Sequence, residues 1–124
     1  MKSKYKILGI IIVGIIAVFI LYIALNFRGH LVLRDNKVIE YKAGLVDKNI
    51  RNLTVNIPEG TTEIMNDAFS GCECIEKVYI PESVRIIHRR AFIGCKNLKE
   101  INLPESLEQI DRDAFNGCTS LEVI

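Results

Sequence analysis

Hydrophobic and polar positions follow two regimes along this chain. Residues 7–25 (ILGIIIVGIIAVFILYIAL) form an unbroken apolar run with no charge. A helix of that length spans about 28 Å, close to the hydrocarbon core of a bilayer. It has no polar face, whereas a surface helix of a globular protein normally keeps one. The run therefore predicts a transmembrane signal anchor. Beyond it the pattern changes to short alternations of apolar and polar residues, as in half-buried strands. Val55-Asn56-Ile57, Val78-Tyr79-Ile80 and Ile101-Asn102-Leu103 are the clearest of these, and each is followed by a proline, Pro58, Pro81 or Pro104. Proline has no N–H to add to a strand ladder, so each strand is expected to stop there.

These alternations recur with a period of 23 residues. Ala68, Ala91 and Ala114 share it with Phe69, Phe92 and Phe115, with Gly71, Gly94 and Gly117, and with Cys72, Cys95 and Cys118. The aliphatic columns Ile64/Ile87/Ile110 and Ile75/Leu98/Leu121 follow the same step. Such a period marks a solenoid, in which no single coil buries its apolar face and stacked coils share one core. Within a coil, Ala-Phe-x-Gly-Cys is expected to make one tight helical turn, closed by glycine in a left-handed conformation.

Charge supports the stacking. Residues 23 apart become lateral neighbours about 4.8 Å apart in a parallel ladder. Asp67/Arg90/Asp113 and Glu76/Lys99/Glu122 then alternate in sign, and Arg85 faces Glu108. Glu59, Glu82 and Glu105 instead form a row of like charge in the turns. They read as solvated carboxylates, with a weak cation site or a contact for a basic partner as the alternative. The formal net charge of +1 averages two environments: Lys2, Lys4 and Lys6 before the apolar run, and an excess of acid after it. This balance excludes nucleic-acid binding driven by bulk basicity. The lysines favour a cytoplasmic N-terminus with the repeats outside. A signal peptide, cleaved to release a secreted domain, is the alternative.

The consensus, L-x-x-I-x-L-P-x-S-x-x-x-I-x-x-x-A-F-x-G-C-x-x, resembles the BspA-like leucine-rich repeat family. Residues 98–120 (LKEINLPESLEQIDRDAFNGCTS) match it almost throughout, 75–97 nearly as well, and 52–74 more weakly, with Asn52 in the leading aliphatic slot. The resemblance implies a short leucine-rich-repeat solenoid of about three coils, built from parallel strands and short helical turns. It further implies a bacterial or protist surface protein that recognises host or neighbouring-cell proteins. The expected organisation is a basic tail (1–6), the transmembrane helix (7–25), and a juxtamembrane segment with an N-terminal cap (26–51). The repeats occupy 52–124, with a fourth unit opening at 121–124. The cap is expected to hold a strand pair around Arg34-Asp35-Asn36-Lys37.

Candidate chemistry is sparse. Cys72, Cys95 and Cys118 lie in one column, and a spacing near 4.8 Å is too wide for an unstrained disulfide, so they read as buried thiols. Cys74, whose column mates are Asn97 and Ser120, reads as a surface or turn thiol. His30 and His88 are isolated, and His88 shares a tolerant column with Met65 and Asp111. No nucleophile–base pairing, phosphate-cradling loop or metal spacing is found, so neither a catalytic site nor a metal or cofactor is expected. Asn52-Leu53-Thr54 is a glycosylation sequon only if the chain enters a eukaryotic secretory pathway.

Binding is the expected activity, and its candidate face is the outward row of the strands: Thr54, Asn56, Lys77, Tyr79, Glu100 and Asn102. Tyr79, an aromatic among charges, suits a contact residue. Pro58, Pro81, Pro104, the three phenylalanines and the three column cysteines are expected to be structural. The leading reading is a membrane-anchored, non-enzymatic module for protein binding or adhesion. The alternative is a small structural membrane subunit, or a truncated repeat protein, that pairs through its C-terminal edge with itself or a larger partner.

Overall fold

The computed structural model describes residues 14–18, 20–21, 29–43 and 52–122. Residues 14–18 and 20–21 are helical; the rest of the expected anchor lies outside the described residues, as do 1–6, 44–51 and 123–124. Among the described residues no helix is long and apolar enough to cross a membrane, so the anchor is not shown.

The remainder is a stack of β-coils. Strands β1 (His30–Arg34) and β2 (Lys37–Lys42) form an antiparallel hairpin. Its two-residue turn is Asp35-Asn36, with φ of 50° and 59°. Two successive positive φ values give the turn whose twist matches that of its strands, and Asp and Asn tolerate that region better than most residues. Next come β3 (Leu53–Asn56), β4 (Glu63–Ile64), β5 (Ile75–Tyr79), β6 (Ile86–Ile87), β7 (Glu100–Ile101) and β8 (Gln109–Ile110). They form two sheets, ordered β3-β5-β7 and β1-β2-β4-β6-β8. Apart from the hairpin every pairing is parallel, and Val55 faces Val78, Val78 faces Ile101 and Ile64 faces Ile87. The 23-residue period is thus the circumference of one coil.

Between the sheets runs the core. Ile64, Phe69, Ile75, Ile87, Phe92, Leu98 and Ile101 have no solvent exposure. Burial of a side chain of this size is worth about 1.5–3 kcal/mol, which a lone coil could not collect. The phenylalanines stack face to face, with centroids 4.8 Å apart for Phe69–Phe92 and 5.3 Å for Phe92–Phe115. Tyr41 extends this column at 5.8 Å from Phe69. The hairpin therefore mimics a coil: Val38 lies beside Ile64 in register, Tyr41 N–H donates to Ala68 O, and Met65 N–H donates to Val38 O.

The short strands build a second sheet beside the first, and Ile64, Ile87 and Ile110 lie on them. One expectation needs correction. The Ala-Phe-x-Gly-Cys segment is a run of overlapping turns and not a helical turn. Asp67, Arg90 and Asp113, each just before Ala-Phe, have φ of 58°, 57° and 60°, which breaks a helical path at its start. Phe69 N–H and Phe92 N–H then donate outward, to Ala91 O and Ala114 O of the next coil, at 2.7 and 2.8 Å. The glycines do take the left-handed conformation, and a Cβ on Gly117 would lie 3.4 Å from Gly94 Cα. Coils can approach this closely only because that column lacks side chains.

Candidate partner-binding face

The three-stranded sheet β3-β5-β7 turns one face to the core and the other to solvent, as alternation along a strand requires. Register places Thr54, Lys77 and Glu100 in one row and Asn56 beside Tyr79 in the next. Thr54 and Asn56 are exposed, and Tyr79 is 43% exposed. Lys77 Nζ lies 2.6 Å from Glu100 Oε2. The hydrogen bond to Glu100, reinforced by its charge, holds the Lys77 ammonium above its ordinary pKa. Five of the six expected contact residues thus share one surface, with an aromatic ring beside a formed ion pair.

Asn102 behaves differently. Its Oδ1 accepts from Ile80 N–H at 2.7 Å and its Nδ2 donates to Ile80 O at 2.8 Å. In the preceding coil Ile57 N–H donates to Tyr79 O instead. The Asn102 amide continues the ladder where backbone pairing ends, so its amide is not offered to a partner. Residues 23 apart, Tyr79 and Asn102 occupy one column but serve different ends.

Sequence reasoning missed the setting of His88. The residue is half-buried, with Nε2 2.8 Å from Glu63 Oε2 and Nδ1 3.4 Å from Asp111 Oδ2. Glu63 also meets Lys37 Nζ at 2.6 Å. Hydrogen bonds from Lys37 first, then His88, hold the Glu63 carboxyl below the usual carboxylate range. Glu63 and His88 are 25 residues apart, so a column search at 23 could not find the pair. The carboxylates approach the ring from two sides and do not converge on a common point. No group suited to a metal ion occurs among the described residues.

The thiols are embedded in the stack. Cys95 Sγ donates to Phe69 O at 3.0 Å and Cys118 Sγ to Phe92 O at 3.1 Å. Burial pushes the Cys72 thiol up to about 12, with smaller contributions from Cys74 and Glu40. The hydrogen bond with Cys118, then burial, raises Cys95 further. Cys72 and Cys95 are therefore poor nucleophiles, since the thiolate is the reactive form. Cys74, expected as a surface or turn thiol, does lie in a turn but is buried in the core and not at the surface. Beside it, between Leu53 and Thr54, the register of β3 against β5 shifts, so the simple column rule fails there.

The three turn glutamates are exposed. Pro58 is exposed, whereas Pro81 and Pro104 are buried between coils. An open groove of about 390 Å³ separates the hairpin turn from the first coil, lined in part by Arg34, Asn36 and Glu59. It contains no nucleophile paired with a base.

Comparison with known proteins agrees with this architecture. The BspA type leucine-rich repeat region (6 copies) matches residues 46–124. The chain belongs to the BspA-type leucine-rich repeat family. A leucine-rich repeat protein of T. pallidum is similar in structure, with a TM-score of 0.59 and 30% identity over 80% of this chain and 47% of that one. A leucine-rich repeat protein of Bacteroides ovatus ATCC 8483 gives 0.62 and 29% identity over 77% of this chain and 27% of that one. The chain thus spans less than half of either neighbour. No curated protein matches it. Leucine-rich repeat proteins are typically modules for protein binding or adhesion and are generally non-enzymatic.

Proposed function

We propose that this repeat domain binds a protein partner through the outer face of β3-β5-β7, as a non-enzymatic adhesion or recognition module held at the cell surface. The observation that carries this reading is Tyr79, 43% exposed on the middle strand and next to the Lys77–Glu100 pair. A rigid aromatic ring on a flat sheet gives contact area at little conformational cost, and such residues dominate binding energy at interfaces. The ion pair beside it is partly exposed, so it contributes specificity more than affinity. Thr54 and Asn56 supply hydroxyl and amide groups at its margin.

The apolar segment 7–25 would tether the module, with the lysines inside and the repeats outside. Protease treatment of intact cells tests this topology, and a fully protected repeat domain would refute it. For the binding face, a photo-crosslinking amino acid at Tyr79 is compared with one at Glu59, away from the sheet. Adducts to a cell-surface protein from position 79 and not from 59 are expected. Equal adducts from both positions would rule out a role specific to this face.

A further inference from the structure

Strand β3 is an outer member of its sheet, and among the described residues it pairs with β5 alone. The hairpin extends the other sheet, with β2 against β4, and no described strand lies along the second side of β3. Ile57 N–H donates to Tyr79 O, toward β5. Successive residues of a paired strand turn their backbone groups to opposite sides, so the N–H and C=O of Asn56 point to the open side.

Asn102 shows what an asparagine in this column does when a strand lies beside it. Its side chain takes both backbone groups of Ile80 in the preceding coil. Oδ1 accepts from the Ile80 N–H at 2.7 Å, and Nδ2 donates to the Ile80 carbonyl at 2.8 Å. Asn56 stands two periods earlier in the same column. It is exposed, and its side-chain amide has no hydrogen bond among the described residues. The clamp of Asn102 reaches toward the preceding coil, and for Asn56 that direction is the open side of β3. Apolar surface accompanies it. Val55 and Ile57 are buried beneath this edge, and Leu33, 44% exposed, lines the groove beside Pro58 at its far end.

We propose that β3 accepts an extended segment of a partner protein as an added parallel strand, clamped by the Asn56 amide. Asn56 Nδ2 would donate to the carbonyl of one residue of that segment, and Oδ1 would accept from the N–H of the same residue. These are the two bonds that Asn102 makes to Ile80. Backbone bonds hold the segment, so the slot selects an extended chain with apolar side chains at alternate positions, those that turn inward beside Val55 and Ile57. A second copy of the chain is a poor occupant. Two-fold pairing would set β3 against β3 antiparallel, whereas the strand that Asn102 holds is parallel to its own. The inference extends the sheet-face reading to the edge of the same sheet, and rests on it for taking the occupant from a protein.

The test uses the full chain in non-ionic detergent and a fluorescein-labelled peptide of residues 75–81 (IEKVYIP), the stretch that carries the clamped Ile80 in the fold. Fluorescence anisotropy should show saturable binding to the wild-type chain. Binding to N56A should be about tenfold weaker, as expected for two lost hydrogen bonds. A peptide methylated on the Ile80 nitrogen lacks the donor and should lose affinity similarly. Methylation on the Tyr79 nitrogen of the peptide, which points away from the clamp, should leave binding unchanged. Hydrogen exchange is a second readout: the Asn56 backbone amide should exchange fast in the chain alone and slow when the peptide is added. Absence of peptide binding, binding unaffected by N56A, or equal loss on methylation at either nitrogen would overturn the proposal. So would protection of the Asn56 amide in the monomeric chain alone, which would mean that the slot is filled from within. Sedimentation as a dimer that N56A dissolves would assign the slot to a second copy and overturn it too. Any of these results with position 79 still giving specific adducts would strike the slot and leave the sheet face standing.

Discussion

Replacing Phe92 by alanine should cost the repeat domain more than the same change at Phe115, by a margin that the stack itself sets. Phe92 has no solvent exposure and lies between two parallel rings, at 4.8 Å from Phe69 and 5.3 Å from Phe115. Truncating a fully buried phenylalanine costs about 3–5 kcal/mol, comprising lost transfer energy and a residual cavity. Here the cavity cannot collapse readily, because the ladders on both sides hold the coil spacing. Phe115 is only partly buried and has one ring neighbour, so about half that loss is expected, roughly 2 kcal/mol. F92L should fall between wild type and F92A. With no tryptophan in the chain, the assay is urea unfolding followed by circular dichroism. A small domain has about 5–15 kcal/mol in hand, so F92A should show a far lower midpoint or no transition at all. An F115A loss equal to or larger than that of F92A would refute nearest-neighbour coupling through the ring column.

Other substitutions separate the roles assigned above. N102A should destabilise by about 1–3 kcal/mol, since it leaves both Ile80 backbone groups without their partners, whereas N56A should be nearly neutral in the same urea assay. Glu63 supplies a pH signature. Its folded pKa is depressed, so its contribution is present above the ordinary glutamate pKa and is lost as pH falls through the lower folded value. The urea midpoint should therefore drop on acidification below about pH 4.5, and E63Q should flatten part of that slope; an unchanged slope would remove Glu63 from the account. In the native state Cys72 and Cys95 should resist alkylation while all four cysteines label in denaturant without reductant. Mass spectrometry of the labelled peptides checks this, and fast native labelling of Cys95 would contradict its burial.

The legibility of this protein follows from its symmetry. In a parallel stack the lateral neighbour of each residue is set by the period alone. Arg90–Asp67, Lys99–Glu76, Arg85–Glu108 and the phenylalanine column could therefore be paired before any coordinates were known. The rule fails wherever a contact leaves its column. His88 reaches diagonally to Glu63, Asn102 bonds to Ile80, and Cys74 sits beside a shift in register. Hairpin residues have no repeat to align with, so nothing in their order showed that Tyr41 would extend the ring column.

Apolar periodicity and the recurring Pro, Ala-Phe and Gly-Cys positions by themselves determined that this is a solenoid, how long each coil is and which side chains face inward. They did so because burial in a stack repeats with the chain. Tertiary structure alone decided that each coil contributes to two sheets and that the expected strand pair packs as a coil, with Tyr41 in the ring column. It also decided which outward residues remain available and which are held by the backbone. Those outcomes depend on where hydrogen-bonding groups of different coils meet in space. A left-handed residue before Ala-Phe, or one shifted pairing, redirects them without changing the pattern of hydrophobic positions.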